Sequence, residues 1–277
     1  MDEGVLSRNN VRVFGSGAQP MLFAHGFGCD QNMWRFVTPA FSDDYKIVLF
    51  DYVGSGKSDL GAYSKTRYAS LNGYAQDVLD VCHALELENV IFVGHSVSSM
   101  VGVLAAIREP PVFAHLIMVG PSPRYINDPP YVGGFERRDI EELLDTMDKN
   151  YLGWANALAP AIMKNPDRPE LAEELTESFC STDPVIARNF AEATFFADNR
   201  ADLQKVSVPS LILQCSDDII APTSVGEYLD RELRDSTFHL LKATGHCPHM
   251  SDPEETIEAI KAYLSAAKPE EIELAHP

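Results

Sequence analysis

The chain has 277 residues, of which 45% are hydrophobic and 23% charged, a composition typical of globular proteins that excludes disorder on a large scale. This length suffices for one large core with an elaboration or for two ordinary domains. The net charge of −19, from 41 acidic and 22 basic side chains, repels nucleic-acid phosphates and anionic membranes, so neither is an expected partner.

The first residues and the cysteines indicate the compartment. The start, Met1-Asp2-Glu3-Gly4, lacks the basic residues and the apolar run of a signal peptide, and no stretch approaches the length of an apolar membrane span. The five cysteines are scattered and form no CxxC motif, which is typical of reduced thiols rather than a disulfide framework. We therefore expect a cytoplasmic protein.

Seven short β-rich runs alternate with helical patterns along the chain. Several runs are almost entirely apolar, which is typical of strands that are buried on both faces. Helical spacing between them, as in Leu71–Leu87, predicts an α/β fold with right-handed crossovers and a mostly parallel sheet flanked by helices. The predicted strands are Val11–Phe14, Met21–Ala24, Lys46–Phe50, Val90–Val93, Leu116–Val119, Leu211–Gln214 and Phe238–Leu241.

This alternation stops between about residues 125 and 200. No strand pattern occurs there, and proline-rich loops separate about four helical stretches. We interpret this segment, 125–200, as a helical lid inserted into a core formed by residues 1–124 and 201–268. A helical satellite without a gating role is the alternative. The polar end of the chain, 269–277, is expected to be a flexible tail.

A candidate nucleophile lies where the fourth predicted strand leads directly into a helix. At such a junction a serine occupies a sharp, strained turn, with its hydroxyl exposed above the sheet. Ser96 stands at this position after Gly94, and the helix begins near Val97; a serine that merely caps the helix is the alternative. The usual pattern has a second glycine two residues after the serine, where this chain has Ser98. We expect the added Cβ to strain the turn and to affect the rate of reaction.

A glycine-flanked loop directly after the second predicted strand is a candidate oxyanion hole. Acyl transfer needs N–H donors directed at the oxyanion of the tetrahedral intermediate. The backbone N–H groups of Phe27 and Val97 are placed to supply them. An ordinary tight turn is the alternative for the Phe27 loop.

An acidic pair and a histidine-containing run follow the last two predicted strands. A catalytic serine needs a histidine base, and an acid must hold the imidazole in the correct tautomer. The order serine, aspartate, histidine at strand carboxyl ends is typical of α/β hydrolases. We choose His246 over His249 because it follows Gly245 at the apex of the loop. The residues alone leave the choice between Asp217 and Asp218 open.

Other chemistry is disfavoured by the same residue patterns. A metal site at His246, Cys247 and His249 has no second ligand cluster at a useful spacing, so we expect neither a metal nor another cofactor. The glycine-rich run 51–58 ends like a phosphate-binding loop, but Asp51 stands where that motif needs glycine. Dehalogenase chemistry on an α/β-hydrolase fold needs aspartate where Ser96 stands, which excludes it.

Longer stretches of the sequence resemble RsbQ-like bacterial stress-signalling hydrolases and, more distantly, the plant strigolactone and karrikin receptors. The likeness covers nearly the whole chain and implies an α/β-hydrolase fold with an inserted four-helix lid. The family pattern has glycine where Ser98 stands, so this chain departs from its relatives there. The stretches that carry the resemblance are 50–56, 73–78, 120–125, 127–129, 133–136 and 245–251.

The resemblance also implies the residues of the site. It implies Asp218 as the acid and His246 as the base. Large apolar side chains would line a pocket for a small apolar ligand, although each of them is equally expected as core of the lid. The implied pocket residues are Phe27, Phe135, Trp154, Phe195 and Ile219.

The sequence therefore predicts a serine hydrolase for an ester or lactone of a small apolar compound. The resemblance implies a positive regulator of the general stress response, upstream of a sigma factor, that works with a PAS-containing serine phosphatase. A plain metabolic carboxylesterase without a signalling partner is one alternative. A protein whose pocket only binds a ligand is another, against which the intact Ser96, Asp218 and His246 argue.

Overall fold

The computed structural model describes residues 2–267, and its seven strands form one sheet in the order β1-β3-β2-β4-β5-β6-β7. Neighbouring strands are parallel except for β1 and β3. The predicted α/β-hydrolase fold with a mostly parallel sheet is thereby confirmed. The strands are β1 Arg12–Phe14, β2 Pro20–Ala24, β3 Lys46–Leu49, β4 Val90–His95, β5 Phe113–Val119, β6 Ser210–Asp217 and β7 Ser236–Thr244.

Helices cover the sheet and connect its strands. Short 3₁₀ helices occur at Gln31–Trp34, Thr38–Phe41, Leu60–Ala62, Pro110–Val112 and Arg200–Lys205. The α-helices are α1 Glu3–Arg8, α2 Leu71–Ala84, α3 Val97–Arg108, α4 Arg137–Lys149, α5 Tyr151–Met163, α6 Pro169–Ser181, α7 Pro184–Phe195, α8 Thr223–Glu232, α9 Pro248–Ser251 and α10 Pro253–Ala267.

Both faces of the sheet are buried against apolar side chains. Successive residues of a strand point to opposite faces. In β2, Met21 and Phe23 belong to one hydrophobic cluster and Leu22 and Ala24 to the other. The first cluster includes side chains of α4–α7 and α10, whereas the second includes those of α2 and α3. Because both faces of the strands are buried, their sequences are nearly continuous apolar runs.

The four helices α4–α7 lie in the chain between β5 and β6, where the sequence shows no strand pattern. Asp183 begins α7 as its N-cap, because its side chain accepts hydrogen bonds from the N–H groups of Val185 and Ile186. Since β5 lies beside β4 in a parallel arrangement, the insertion leaves the sheet at the carboxyl edge where β4 also ends.

The expected tail, 269–277, lies outside the described residues. None of the helices within residues 2–267 is both long enough and apolar enough to cross a membrane.

Candidate active site

Ser96 occupies a strained turn between β4 and α3. Its φ of 57° and ψ of −123° are values that a residue with a side chain rarely adopts, at a cost of about 1–3 kcal/mol. Its N–H donates to the carbonyl of Val119 at 2.7 Å, which ties the turn to the end of β5. Gly94 is required, since a Cβ there would lie 2.7 Å from the carbonyl oxygen of Ser98. The turn thus presents the serine hydroxyl above the sheet.

His246 connects this serine to Asp218. Its Nε2 lies 2.7 Å from Ser96 Oγ, and its Nδ1 lies 2.7 Å from Asp218 Oδ2. The other carboxylate oxygen, Oδ1, accepts hydrogen bonds from the N–H groups of Ile220 at 2.8 Å and Ala221 at 3.2 Å. With its proton on Nδ1, the imidazole can accept the serine proton at Nε2, which is the arrangement that nucleophilic catalysis needs. All three side chains are buried.

The two competing neighbours, Asp217 and His249, lie in different surroundings. The Asp217 carboxylate is exposed and pairs with the Lys164 ammonium. His249 is fully buried, and its ring centroid lies 4.6 Å from that of Trp34. Neither ring nitrogen of His249 has a hydrogen-bond partner among the described residues. Burial lowers the pKa of His249 to about 3, so its neutral ring serves as a packing group.

The N–H groups of Phe27 and Val97 are available beside Ser96. β2 and β4 are paired neighbours, so the loop that carries Phe27 leaves the sheet next to the start of α3. Neither N–H donates to an acceptor within residues 2–267, and Val97 is the first residue of its helix. Gly26 allows the loop to approach, because a Cβ there would lie 2.4 Å from His95 Nδ1. Two such donors are what an oxyanion hole requires.

Ser98, at the position of the missing glycine, is held by buried hydrogen bonds. Its Oγ donates to the carbonyl of His25 at 2.5 Å and lies 2.9 Å from the Tyr52 hydroxyl. The Tyr52 N–H in turn donates to His25 Nε2 at 3.2 Å. The bond to His25 joins the first turn of α3 to the segment that leads into Phe27. The expected strain at this serine stays a prediction.

A narrow, mainly apolar cavity lies over Ser96. The space open to the centre of a water-sized sphere is about 30 Å³, which holds roughly two water molecules. Its walls come from the strand-end loops and from helices α5–α7, so a ligand here touches both the core and the insertion. The lining residues are Phe27, Cys29, His95, Ser96, Tyr125, Leu158, Ile162, Leu175, Phe179, Thr194, Phe195, Ile220, His246 and Cys247.

Three of the five expected pocket residues are placed as follows. Phe27 and Phe195 line the cavity, and their ring centroids are 6.1 Å apart. Trp154 is buried but does not line it; the indole packs against the Phe27 ring, with ring centroids 6.1 Å apart. Trp154 therefore supports the pocket wall without forming its surface.

Phe135 and Ile219, which were also expected to line the pocket, do not line this cavity. Ile219 is 38% exposed, because the turn that binds Asp218 to the N–H groups of residues 220 and 221 directs Ile220 into the cavity in its place. Phe135 is half-buried against the core and held in a β-bridge to Ile126, away from the cavity surface.

Tyr125 and the inner faces of α5 and α6 are parts of the site that the sequence reasoning missed. The Tyr125 hydroxyl lies 3.5 Å from Ser96 Oγ. The sequence spacing could have predicted the helix faces. Leu158 and Ile162 stand four residues apart, as do Leu175 and Phe179, so each pair shares one side of a helix. For Tyr125, the only indication in the sequence was its position shortly after the end of a predicted strand.

Among residues 2–267, the side chains that come nearest to a metal site are those of His95, Cys247 and His249. Their donor atoms lie within 4.8 Å of one another, and His246 is not among them. However, His95 Nε2 lies 2.8 Å from the carbonyl of His246, and its Nδ1 faces Gly26. Burial also raises the pKa of the Cys247 thiol well above its usual range. The cluster therefore offers fewer free ligands than its composition suggests.

The chain is similar to several known proteins. The sequence model of the alpha/beta hydrolase family matches residues 21–259. The karrikin insensitive 2 receptor CA of Petunia hybrida is 37% identical over 92% of this chain and 95% of its own. Strigolactone esterase D14 of Arabidopsis thaliana is 37% identical over 94% and 97%. The structure of a hydrolase from Oleispira antarctica, 47% identical, covers 95% of this chain and 97% of its own with a TM-score of 0.93.

Proposed function

Because the chain belongs to the α/β hydrolase family and hydrolyses ester bonds, we propose that it cleaves an ester or lactone of a small, largely apolar compound at Ser96. The observation that carries this proposal is the continuous path from Ser96 through His246 to Asp218, with 2.7 Å at both links. Ser96 and His246 line the apolar cavity, where electrostatic interactions are stronger than in water.

The proposed reaction begins when Ser96 Oγ attacks the carbonyl carbon and its proton passes to His246 Nε2. The Asp218 carboxylate stabilises the imidazolium that forms, and the N–H groups of Phe27 and Val97 hold the oxyanion. His246 then protonates the leaving oxygen, which leaves an acyl ester on Ser96. Water activated by His246 hydrolyses this ester, releasing the acid and restoring the serine.

The helices α4–α7 are proposed to act as a lid. Helices α5–α7 supply part of the cavity wall, and the space above Ser96, about 30 Å³, is smaller than any ester. Side chains or whole helices must therefore move to admit a substrate. Such a movement would also exclude water from the site during the reaction.

Turnover of model substrates tests the hydrolase. We expect short-chain 4-nitrophenyl esters and simple lactones to be hydrolysed, with kcat reduced at least about 10⁴-fold in Ser96→Ala because the nucleophile is absent. Equal activity in the wild-type protein and Ser96→Ala would overturn the proposal. Rapid multiple turnover of many unrelated esters would favour a plain metabolic carboxylesterase.

The signalling part of the proposal rests on the resemblance to RsbQ-like hydrolases. In this role the chain acts in the cytoplasm as a positive regulator of the general stress response, together with a PAS-containing serine phosphatase. One relative is named a receptor and another an esterase, which supports a site that both recognises a ligand and hydrolyses it.

Deleting the gene in its host tests this role. We expect the stress-response reporter to lose induction and to recover it with the wild-type gene, and we expect the phosphatase to co-purify with the protein. Normal induction in the deletion strain would contradict the signalling role and leave the hydrolase proposal standing. Complementation with Ser96→Ala would show whether signalling needs turnover or only binding.

A further inference from the structure

Thr194 lines the active-site cavity and carries an unpaired hydroxyl. The residue lies near the end of α7 and is 2% exposed. Its Oγ1 has no hydrogen-bond partner among the described residues. A buried hydroxyl without a partner costs about 1–3 kcal/mol, so natural proteins seldom retain one without a use.

Other helical threonines in this chain show how such a hydroxyl is normally satisfied. A threonine can donate to the carbonyl one turn earlier in its own helix. Thr146 does so to Glu142 at 2.8 Å, and Thr176 does so to Ala172, also at 2.8 Å. Thr194 makes no such bond, although it stands in the same kind of helical position. Its hydroxyl is therefore available to whatever occupies the cavity.

The Tyr125 hydroxyl is a second polar group in the same wall. The Tyr125 ring packs against Phe195, the residue after Thr194, with ring centroids 5.2 Å apart. Its hydroxyl lies 3.5 Å from Ser96 Oγ, at the limit of a hydrogen bond. Burial raises the pKa of Tyr125, so the hydroxyl remains a neutral donor. Most other side chains in contact with the cavity are aliphatic or aromatic.

We propose that Thr194 and Tyr125 form a polar subsite that selects small esters or lactones carrying a second acceptor oxygen. The Tyr125 hydroxyl bonds an oxygen close to the reacting carbonyl, and the Thr194 hydroxyl bonds the second oxygen farther along the substrate. A wholly apolar ester leaves the Thr194 hydroxyl unpaired and so reacts less well. This inference rests on the proposed ester hydrolysis at Ser96 and narrows its substrate class.

Matched substrates and isosteric variants test the subsite. The substrates are 4-nitrophenyl butyrate and pentanoate, and their analogues in which each acyl methylene beyond the one next to the carbonyl is in turn replaced by an ether oxygen. For each pair, kcat/KM of the ether ester is divided by that of the parent ester. This ratio is measured in the wild-type protein, in Thr194→Val, which keeps the shape but lacks the hydroxyl, and in Thr194→Ser, which retains it. Intrinsic reactivity and any general loss of activity cancel when the ratios are compared between proteins.

At one chain position we expect the wild-type ratio to exceed the Thr194→Val ratio about tenfold, the worth of one buried hydrogen bond. Thr194→Ser should keep most of this preference. Equal ratios in the wild-type protein and Thr194→Val at every position would overturn the subsite, while turnover itself would leave the hydrolase intact. If no ester is turned over, the hydrolase proposal fails. The subsite is then tested by calorimetry, which compares the affinities of the unreactive ether and parent anilides in the wild-type protein and in Thr194→Val. A preference for the ether anilide that is lost in Thr194→Val would support the subsite, and equal ratios in both proteins would overturn it.

Discussion

The carboxyl edge of the sheet and the inserted helices α4–α7 contribute different things to one cavity. At the edge, the reacting groups are fixed by hydrogen bonds: Ser96 through its own backbone to β5, and Asp218 through two N–H groups of the next turn. The helices supply mainly apolar side chains and one unpaired hydroxyl, none of which bonds the reacting atoms. The difference indicates that the reaction depends on groups that hydrogen bonds hold in one conformation. Substrate choice depends instead on lining side chains that can be substituted without breaking those hydrogen bonds.

The two regions meet directly at the catalytic histidine. The N–H of His246 donates to the carbonyl of Ile162, in α5, at 2.9 Å. Gly245 adopts a φ of 83°, and a Cβ there would lie 2.3 Å from the carbonyl oxygen of Met163. Glycine is thus needed where the insertion contacts the loop that carries His246. A movement of α5 would therefore shift the position of the catalytic histidine.

Two adjacent acids give the largest expected contrast at the sheet edge. Asp218→Asn should lower kcat about 10³–10⁴-fold, because the amide no longer holds His246 in the correct tautomer. Asp217→Asn, its matched control, should change kcat less than about twofold, since it loses only an exposed ion pair with Lys164. Steady-state kinetics with a 4-nitrophenyl ester measures both. Similar losses in the two variants would contradict the assignment of the acid.

The buried histidines near the sheet edge predict how the stability of the protein depends on pH. Burial lowers the pKa of His25, His95 and His249, and residues 137–195 of the insertion contain no histidine. Below about pH 6.5 these histidines are protonated in the unfolded chain but remain neutral in the folded protein. The free energy of unfolding therefore decreases as the pH is lowered. For His249 the loss should be about 1.4 kcal/mol per pH unit down to its folded pKa of about 3.

Urea unfolding between pH 7 and pH 5 measures this dependence. We expect His249→Gln to reduce the slope of unfolding free energy against pH, because one proton-binding group of the unfolded state is removed. An identical slope in the variant and the wild-type protein would show that His249 is not held neutral by burial.

Ser98 should have a smaller effect, on the rate of reaction rather than on binding. Ser98→Ala removes the hydrogen bond to the His25 carbonyl and so loosens the segment that carries the Phe27 N–H. We expect kcat to fall about tenfold, with KM within about threefold, because the oxyanion donor acts mainly in the transition state. Tyr52→Phe, which removes the other partner of Ser98 but leaves that bond, should lose less. A change confined to KM would contradict this role.

The smallest effect is expected in the insertion. Leu158→Ala truncates an apolar side chain in the cavity wall and should raise KM about three- to fourfold if the ligand loses contact equivalent to one methylene, about 0.8 kcal/mol. Leu152→Ala, on the same helix but 60% exposed, should leave KM unchanged. Comparable effects in both variants would mean that α5 influences the site through its stability and not through contact with the ligand.

The sequence was most informative at the sheet edge. The seven strands could be predicted because burial on both faces leaves continuous apolar runs, and parallel strands bring their carboxyl ends together. That juxtaposition placed Ser96, His246 and the acidic pair Asp217–Asp218 in one region from order alone, whereas the choice of Asp218 came from the family resemblance. The strained φ of Ser96 follows from the same strand-to-helix junction.

Side-chain direction in the loops and in the insertion could not be predicted in the same way. Ile219 faces outward and Ile220 inward because hydrogen bonds to Asp218 fix the turn, which no local pattern reveals. The bond from Ser98 to the His25 carbonyl joins positions 73 residues apart in the chain. Whether Thr194 satisfies its hydroxyl within its helix or turns it to the cavity is likewise decided by packing.

Covalent labelling tests the central claim most directly. The protein is incubated with a small fluorophosphonate, and the modified peptide is identified by mass spectrometry while ester hydrolysis is followed in the same sample. We predict one label per chain, on Ser96, with hydrolysis lost in proportion to labelling and with little label in His246→Ala. Hydrolysis that persists when Ser96 is fully labelled, or labelling of an active protein at another residue, would contradict the assignment of Ser96 as the nucleophile.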